Sequence, residues 1–225
     1  MGVLPLVHLI GLIRVVTLTD EYMLNLHGKI IEKVFPELKV ISKCIEGHPK
    51  GLYDRESVEK AKPKILRLAQ EFEKQGVEAI IISCVADPAV NEARRELKIP
   101  IIGAGSAAAS IALALGERIG ILNLTDETPE VIRKILKDHL VKEVAPKDVK
   151  NTLDLLTDWG RKAAIEALKL LIEDKVDTII LGCTGYSTIG FAKIAKELTN
   201  IPLIDPIIAA GTITLSTLKQ KEFFF

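Results

Sequence analysis

Three landmarks occur twice in this chain, in the same order. VVTLTDE, from Val15 to Glu21, returns as ILNLTDE, from Ile121 to Glu127. VEAIIISCVADP, from Val77 to Pro88, returns in pattern as VDTIILGCTGYS, from Val176 to Ser187, with Cys84 and Cys183 at the same place in each. KIPIIGAG, beginning at Lys98, is answered by NIPLIDPI, beginning at Asn200. Any two βαβ units share apolar strands, but that does not account for a shared LTDE or a shared cysteine. The repeat therefore predicts two half-chains of like fold, 1–115 and 116–225, with the break near 115–118. A last helix over 207–225 is free to return to the first half.

Each half alternates short apolar runs with longer amphipathic ones. The runs at 12–17, 39–45, 79–83, 100–103, 119–123, 143–145, 178–182 and 202–205 are rich in Ile, Val and Leu with little alternation. Parallel strands covered on both faces have that character. Between them run helical stripes: Met23, Leu26, Ile30 and Val34; Val58, Ile65, Leu68 and Phe72; Leu156, Ala163, Leu168 and Leu171. Thr128 followed by Pro129 reads as a helix start, with Thr128 as N-cap. The expected fold is α/β: two pseudo-symmetric halves, each a parallel four-stranded sheet flanked by helices, with the active site in the cleft between them.

In open parallel sheets ligands bind beyond the carboxyl ends of the strands. Cys84 and Cys183 both stand at that end. If the halves face each other, one thiol stands on each side of a bound molecule, which is what a racemase requires. One group removes a proton from one face of a carbon and the other delivers a proton to the opposite face. Helices expected to begin near Pro88 and Ser187 would favour the thiolates through their first-turn amides. The backbone N–H groups after each cysteine, with the hydroxyls of Thr17, Thr19, Thr125 and Thr184, are candidates for stabilising the carbanion. Cys44, in VISKCIEG, has no counterpart in the second half and reads as structural.

Other classes fit less well. Lys plus Arg and Asp plus Glu both number 30, so no net charge draws the chain to nucleic acid or an anionic membrane. Three scattered cysteines do not make a disulfide framework, and no CxxC or HExxH spacing suggests zinc. The oily start MGVLPLVHLIGLIRVVTL has no basic leader and is broken by Arg14, so a cytoplasmic protein is expected. GAGSAA, from Gly103 to Ala108, satisfies a dinucleotide-binding pattern, with Asp126 as a candidate ribose-binding acid. A one-cysteine decarboxylase, a cis–trans isomerase and a non-catalytic two-lobed binding protein are further alternatives. His27 and His139 read as surface or packing residues, and His8 sits in the oily N-terminus without a visible partner. His48, in the loop EGHPKGLYD with Tyr53, is placed to cover the cleft.

These residues resemble the aspartate/glutamate/hydantoin racemase family. GCTGYS is similar to its second cysteine motif and SCVADP to its first. IPIIGAGSAAASIALALGERIGILNLT resembles the segment joining the halves, and GLYDRES the early loop. The resemblance implies a reaction without cofactor or metal, in a homodimer or higher homo-oligomer, with Cys84 and Cys183 as the acid–base pair. It places Thr17, Thr19, Asn123, Thr125 and Thr184 around the substrate, together with the positions after the cysteines. Glutamate racemases have Asn-Thr and Thr-His there; this chain has Val85-Ala86 and Thr184-Gly185. Asp87-Pro88 and Gly185 are closer to the hydantoin branch. TLTDEYM, in place of an Asn-rich loop, and Ser106, in place of an acidic residue, depart from that branch. The expected substrate is hydantoin-like or an acidic amino acid.

Overall fold

The computed structural model describes residues 6–224. The start of the oily N-terminal segment, with Pro5, and the last residue of the Phe tail lie outside them. The first half runs β1 (His8–Arg14), α1 (Glu21–Val34), β2 (Leu38–Cys44), α2 (Arg55–Lys74), β3 (Ala79–Ser83), α3 (Val90–Glu96), β4 (Ile101–Gly103) and α4 (Ala104–Leu115). The second runs β5 (Ile119–Asn123), α5 (Glu130–Leu136), β6 (Leu140–Val144), α6 (Asp158–Glu173), β7 (Thr178–Gly182), α7 (Thr184–Thr188), α8 (Phe191–Ala195), β8 (Leu203–Ile204) and α9 (Pro206–Phe224).

Each half forms one parallel sheet, ordered β2-β1-β3-β4 and β6-β5-β7-β8. The order reverses between β1 and β3, and between β5 and β7. At such a switch point neighbouring crossovers leave in opposite directions and open a crevice. Cys84 follows β3 and Cys183 follows β7, so each thiol stands at its sheet's crevice.

The repeat extends to polar detail. Glu78, just before β3, accepts from Leu9 N at 3.1 Å and ties that strand to β1. Asp177, just before β7, accepts from Glu117 N and Arg118 N, both at 3.0 Å, at the start of β5. A Cβ on Gly116 would lie 2.1 Å from the Asp177 carboxylate, so a side chain there would push that carboxylate off its two amides.

α4 and α9 hold corresponding places and are capped by different means. Asp205 accepts from Ile207 N at 2.9 Å and Ile208 N at 3.2 Å at the start of α9. The corresponding residue before α4 is Gly103, and a Cβ on it would meet the Asp87 carboxylate at 2.1 Å. Asp87, carried in from the loop after Cys84, accepts from Gly105 N at 2.7 Å and Ser106 N at 2.9 Å.

The two sheets share a core. Ile10, Leu12 and Ile81 of the first pack with Ile119, Ile121 and Ile180 of the second through the alanines of α4 and the inner face of α9. α9 lies against α1, α4 and β3, so the last helix of the chain covers the first half. The outer faces have their own cores, around Ile65, Phe72 and Ile82 in the first half and Leu168, Leu181 and Tyr186 in the second.

Four local expectations are corrected. The first strand runs His8–Arg14, not 12–17, so Thr17 lies in the loop after it. On α1 the buried face is His27, Gly28 and Ile31, and Val34 is exposed. α5 begins at Glu130, and the Thr128 hydroxyl accepts from Asn123 Nδ2 at 2.6 Å instead of capping it. Leu156 precedes α6 and is exposed. Phe223 and Phe224, at the end of α9, are both exposed.

Candidate active site

A cleft of about 910 Å³ opens between the halves, and both Cys84 and Cys183 line it. Their surroundings correspond. Asp87 N donates to Cys84 O at 3.1 Å, and Tyr186 N donates to Cys183 O at 3.1 Å, so each cysteine opens the same tight turn. Gly185 N reaches Cys183 Sγ at 3.2 Å, and the Ala86 amide likewise favours the charged form of Cys84. α7 begins directly at Cys183, which is its N-cap, not near Ser187.

The turn after Cys84 is strained where its partner is not. Asp87 (φ 49°) and Ala89 (φ 59°) are both left-handed without being glycine. Such residues cost about 1–3 kcal/mol each and persist only where their surroundings hold them. Here the hold is the bond pair from Asp87 to the start of α4.

The amides after the cysteines do lower the thiol pKa values, as expected, but burial outweighs them. Burial pushes Cys84 up to about 12 and Cys183 up to about 11. The backbone N–H beside each sulfur lowers its value but does not offset the loss of water. A smaller upward contribution at Cys84 comes from the Cys183 sulfur.

Of the expected substrate-contacting residues, Val85, Ala86, Thr125, Thr184 and Gly185 line the cleft. Three do not. The Thr17 hydroxyl donates to Ile45 O and accepts from His48 N, both at 2.8 Å, so it pins the loop after β2. Thr19 is exposed beside the start of α1. Asn123 is buried, with Nδ2 on Thr128 and Oδ1 left without a partner.

His48 is likewise off the cleft. It lines a smaller hollow beside it and lies 3.4 Å from Lys64 Nζ, and burial and that ammonium lower its pKa. Tyr53 does reach the cleft. The Cys44 sulfur accepts from Leu18 N at 3.5 Å and so fastens the loop leaving β1.

The dinucleotide alternative loses its phosphate site. A phosphate on GAGSAA would need the free first amides of α4, and the Asp87 carboxylate occupies two of them. Asp126 is exposed and is not among the residues lining the cleft.

Two residues escaped the sequence reading. Arg14, 5% exposed, lines the cleft at the carboxyl end of β1 and donates through Nη1 to Met23 O at 2.7 Å. No carboxylate lies within ion-pair distance of it among the described residues, and burial lowers its pKa to about 10. His27, expected as surface or packing, is fully buried and hydrogen-bonded to both halves. A polar residue inside an apolar helical stripe was the available signal for His27, and an arginine ending an apolar strand was the signal for Arg14.

The model of the Asp/Glu/hydantoin racemase family matches residues 19–213. The chain belongs to that family. A hydantoin racemase from Rhizobium meliloti is 28% identical over 156 residues, which cover 66% of this chain and 63% of that protein. Glutamate racemase 3 from Caldanaerobacter subterraneus is 28% identical over 164 residues, covering 68% and 60%. The matches thus span less than two thirds of these relatives' lengths. Among solved structures, allantoin racemase from Klebsiella pneumoniae superposes with a TM-score of 0.82 at 24% identity, over 95% of this chain and 89% of the other. That likeness concerns the fold.

Among the described residues, no helix is long and apolar enough to cross a membrane.

Proposed function

We propose that this family member inverts a stereocentre next to a carbonyl, using Cys84 and Cys183 as acid and base. The observation that carries the reading is the placement of two matched thiols in one interlobe cleft, each at its sheet's switch point. The thiolate of one cysteine takes the proton from the carbon, and the electron pair delocalises into the carbonyl as an enolate. The thiol of the other cysteine then protonates the opposite face. The pair ends with its protonation states exchanged, and the reverse substrate restores them.

General acid–base catalysis supplies about 10²–10⁴-fold per group, so the enolate must also be stabilised. The Thr125 hydroxyl and the Arg14 guanidinium are among the donors and positive charges on the cleft wall, with Thr184 beside Cys183. Two thiols favour racemisation over decarboxylation, which needs one proton donor.

The residues after the cysteines favour a ring over a free amino acid. Val85 and Ala86 offer no side-chain donors to an α-carboxylate. A Cβ at Gly185 would lie 3.2 Å from the Cys183 sulfur and 3.1 Å from Leu155 Cδ1, so glycine keeps space open beside the thiol. A five-membered hydantoin or ureide ring such as allantoin uses that space.

Single enantiomers of 5-substituted hydantoins, allantoin, aspartate and glutamate, followed by circular dichroism, test the substrate class. Loss of optical signal with the ring compounds and not with the amino acids is expected. Racemisation confined to aspartate or glutamate would overturn the ring preference.

A further inference from the structure

His27 Nδ1 lies 2.8 Å from Ser83 Oγ, and Nε2 lies 2.8 Å from Thr188 Oγ1. Ser83 ends β3 and immediately precedes Cys84, in the first half. Thr188 ends α7, the short helix that Cys183 caps, in the second. A second link runs beside the first: Thr184 Oγ1 donates to Ser83 O at 3.4 Å. We propose that His27 is a positioning residue that sets the separation of the two thiols by bridging the elements that carry them.

The direction of each bond follows from the protons available. Thr188 donates its own proton to Thr184 O at 3.4 Å, so it accepts from His27 Nε2–H. Nδ1 then accepts from Ser83. Only the neutral imidazole can do both, and full burial together with the nearby Arg14 cation holds its pKa well below the usual value.

Packing alone does not require this arrangement. An apolar side chain would fill the same interior volume without desolvating three polar groups, each of which costs free energy unless bonded. A satisfied buried network defines one relative placement of the elements it joins, as apolar contact does not. Proton transfer on both faces of one carbon needs such a placement. An error of about 1 Å in the position of a reacting group can cost about a hundredfold in rate. The purpose assigned to the bridge rests on the two-thiol reading; its geometry does not.

Thr188→Val, close in shape to threonine, cuts the bridge on the second half and leaves the imidazole in place. His27→Asn retains a polar group near Nδ1 and loses the reach to Thr188. Both are compared with the parent for kcat and KM on whichever enantiomer the parent racemises. In a Cys44→Ala background, both are also treated with dibromobimane, which fluoresces once two neighbouring thiols have each displaced a bromide.

We expect kcat to fall about ten- to a hundredfold with KM changed less than about threefold, and the bridging rate to fall alongside. Variants with parental kcat and bridging rate overturn the proposal, even if they melt at lower temperature, since His27 would then be structural only. If the parent has no activity on any substrate but the variants lose thiol bridging, the positioning role stands and the racemase reading fails.

Discussion

At the scale of single residues, the site is governed by the conflict between burial and backbone donors at each sulfur. Burial wins, and both thiols are held protonated near neutrality. Because kcat/KM reports the free enzyme's ionisations, it is expected to climb about tenfold per pH unit from pH 7 to about 10. A plateau below pH 8 would show a thiolate already formed and contradict this. Iodoacetamide should likewise alkylate Cys84 and Cys183 more slowly at pH 8 than an exposed cysteine, as peptide mass analysis would reveal. Gly185→Ala places a methyl group 3.2 Å from the Cys183 sulfur. Its KM for ring substrates should rise about three- to tenfold with little loss of folding stability, since one methyl group is worth about 1 kcal/mol. The positions of the two cysteines were legible because the repeat aligns them. Their ionisation was not, since the motif shows the amides and the surrounding core removes the water. Thr17 and Thr19 follow an apolar strand as binding residues often do. Only the structure shows that His48 and Ile45 take up the Thr17 hydroxyl.

At the scale of elements, the cap on α4 joins stability to the site. The Asp87 carboxylate holds two amides of α4 and fixes the left-handed turn directly after Cys84. Asp87→Asn has a single carbonyl oxygen to accept with and turns an amino group toward one of those N–H groups. Urea unfolding should show a loss of about 1–3 kcal/mol. Activity should fall as well, because the turn that aims Cys84 is released. Unchanged stability would mean that α4 is capped by other means. The strands at 79–83, 119–123 and 178–182 were legible to the residue, since buried parallel strands carry little but Ile, Val and Leu. The Gly-rich start of α4 was readable as a phosphate cradle because nucleotide folds and this one share a need for small residues at a close helix–strand contact. What distinguishes them is a carboxylate that sits many positions earlier in the chain.

At the scale of the whole molecule, the halves are tied by the shared core and by α9, which leaves the second half to cover the first. Gly211 makes that docking possible: a Cβ there would meet the Phe35 ring at 2.6 Å. Gly211→Val should destabilise the protein by roughly 1–3 kcal/mol in thermal or urea unfolding, and an unchanged midpoint would mean that α9 docks elsewhere. The two-half architecture was readable from the repeat, and the cleft followed from strand ends meeting across it. The bridge through His27 was not readable, because its partners, Ser83 and Thr188, come together only when both halves are folded. The central claim is that Cys84 and Cys183 act on opposite faces of one carbon. The most direct measurement is proton NMR in D₂O on single-enantiomer hydantoins and amino acids, with the parent beside Cys84→Ser, Cys183→Ser and the double variant. The parent is expected to exchange the proton at the stereocentre for deuterium as it racemises, and racemisation is expected to be lost in each single variant. A double variant that still racemises at the parental rate would contradict the claim.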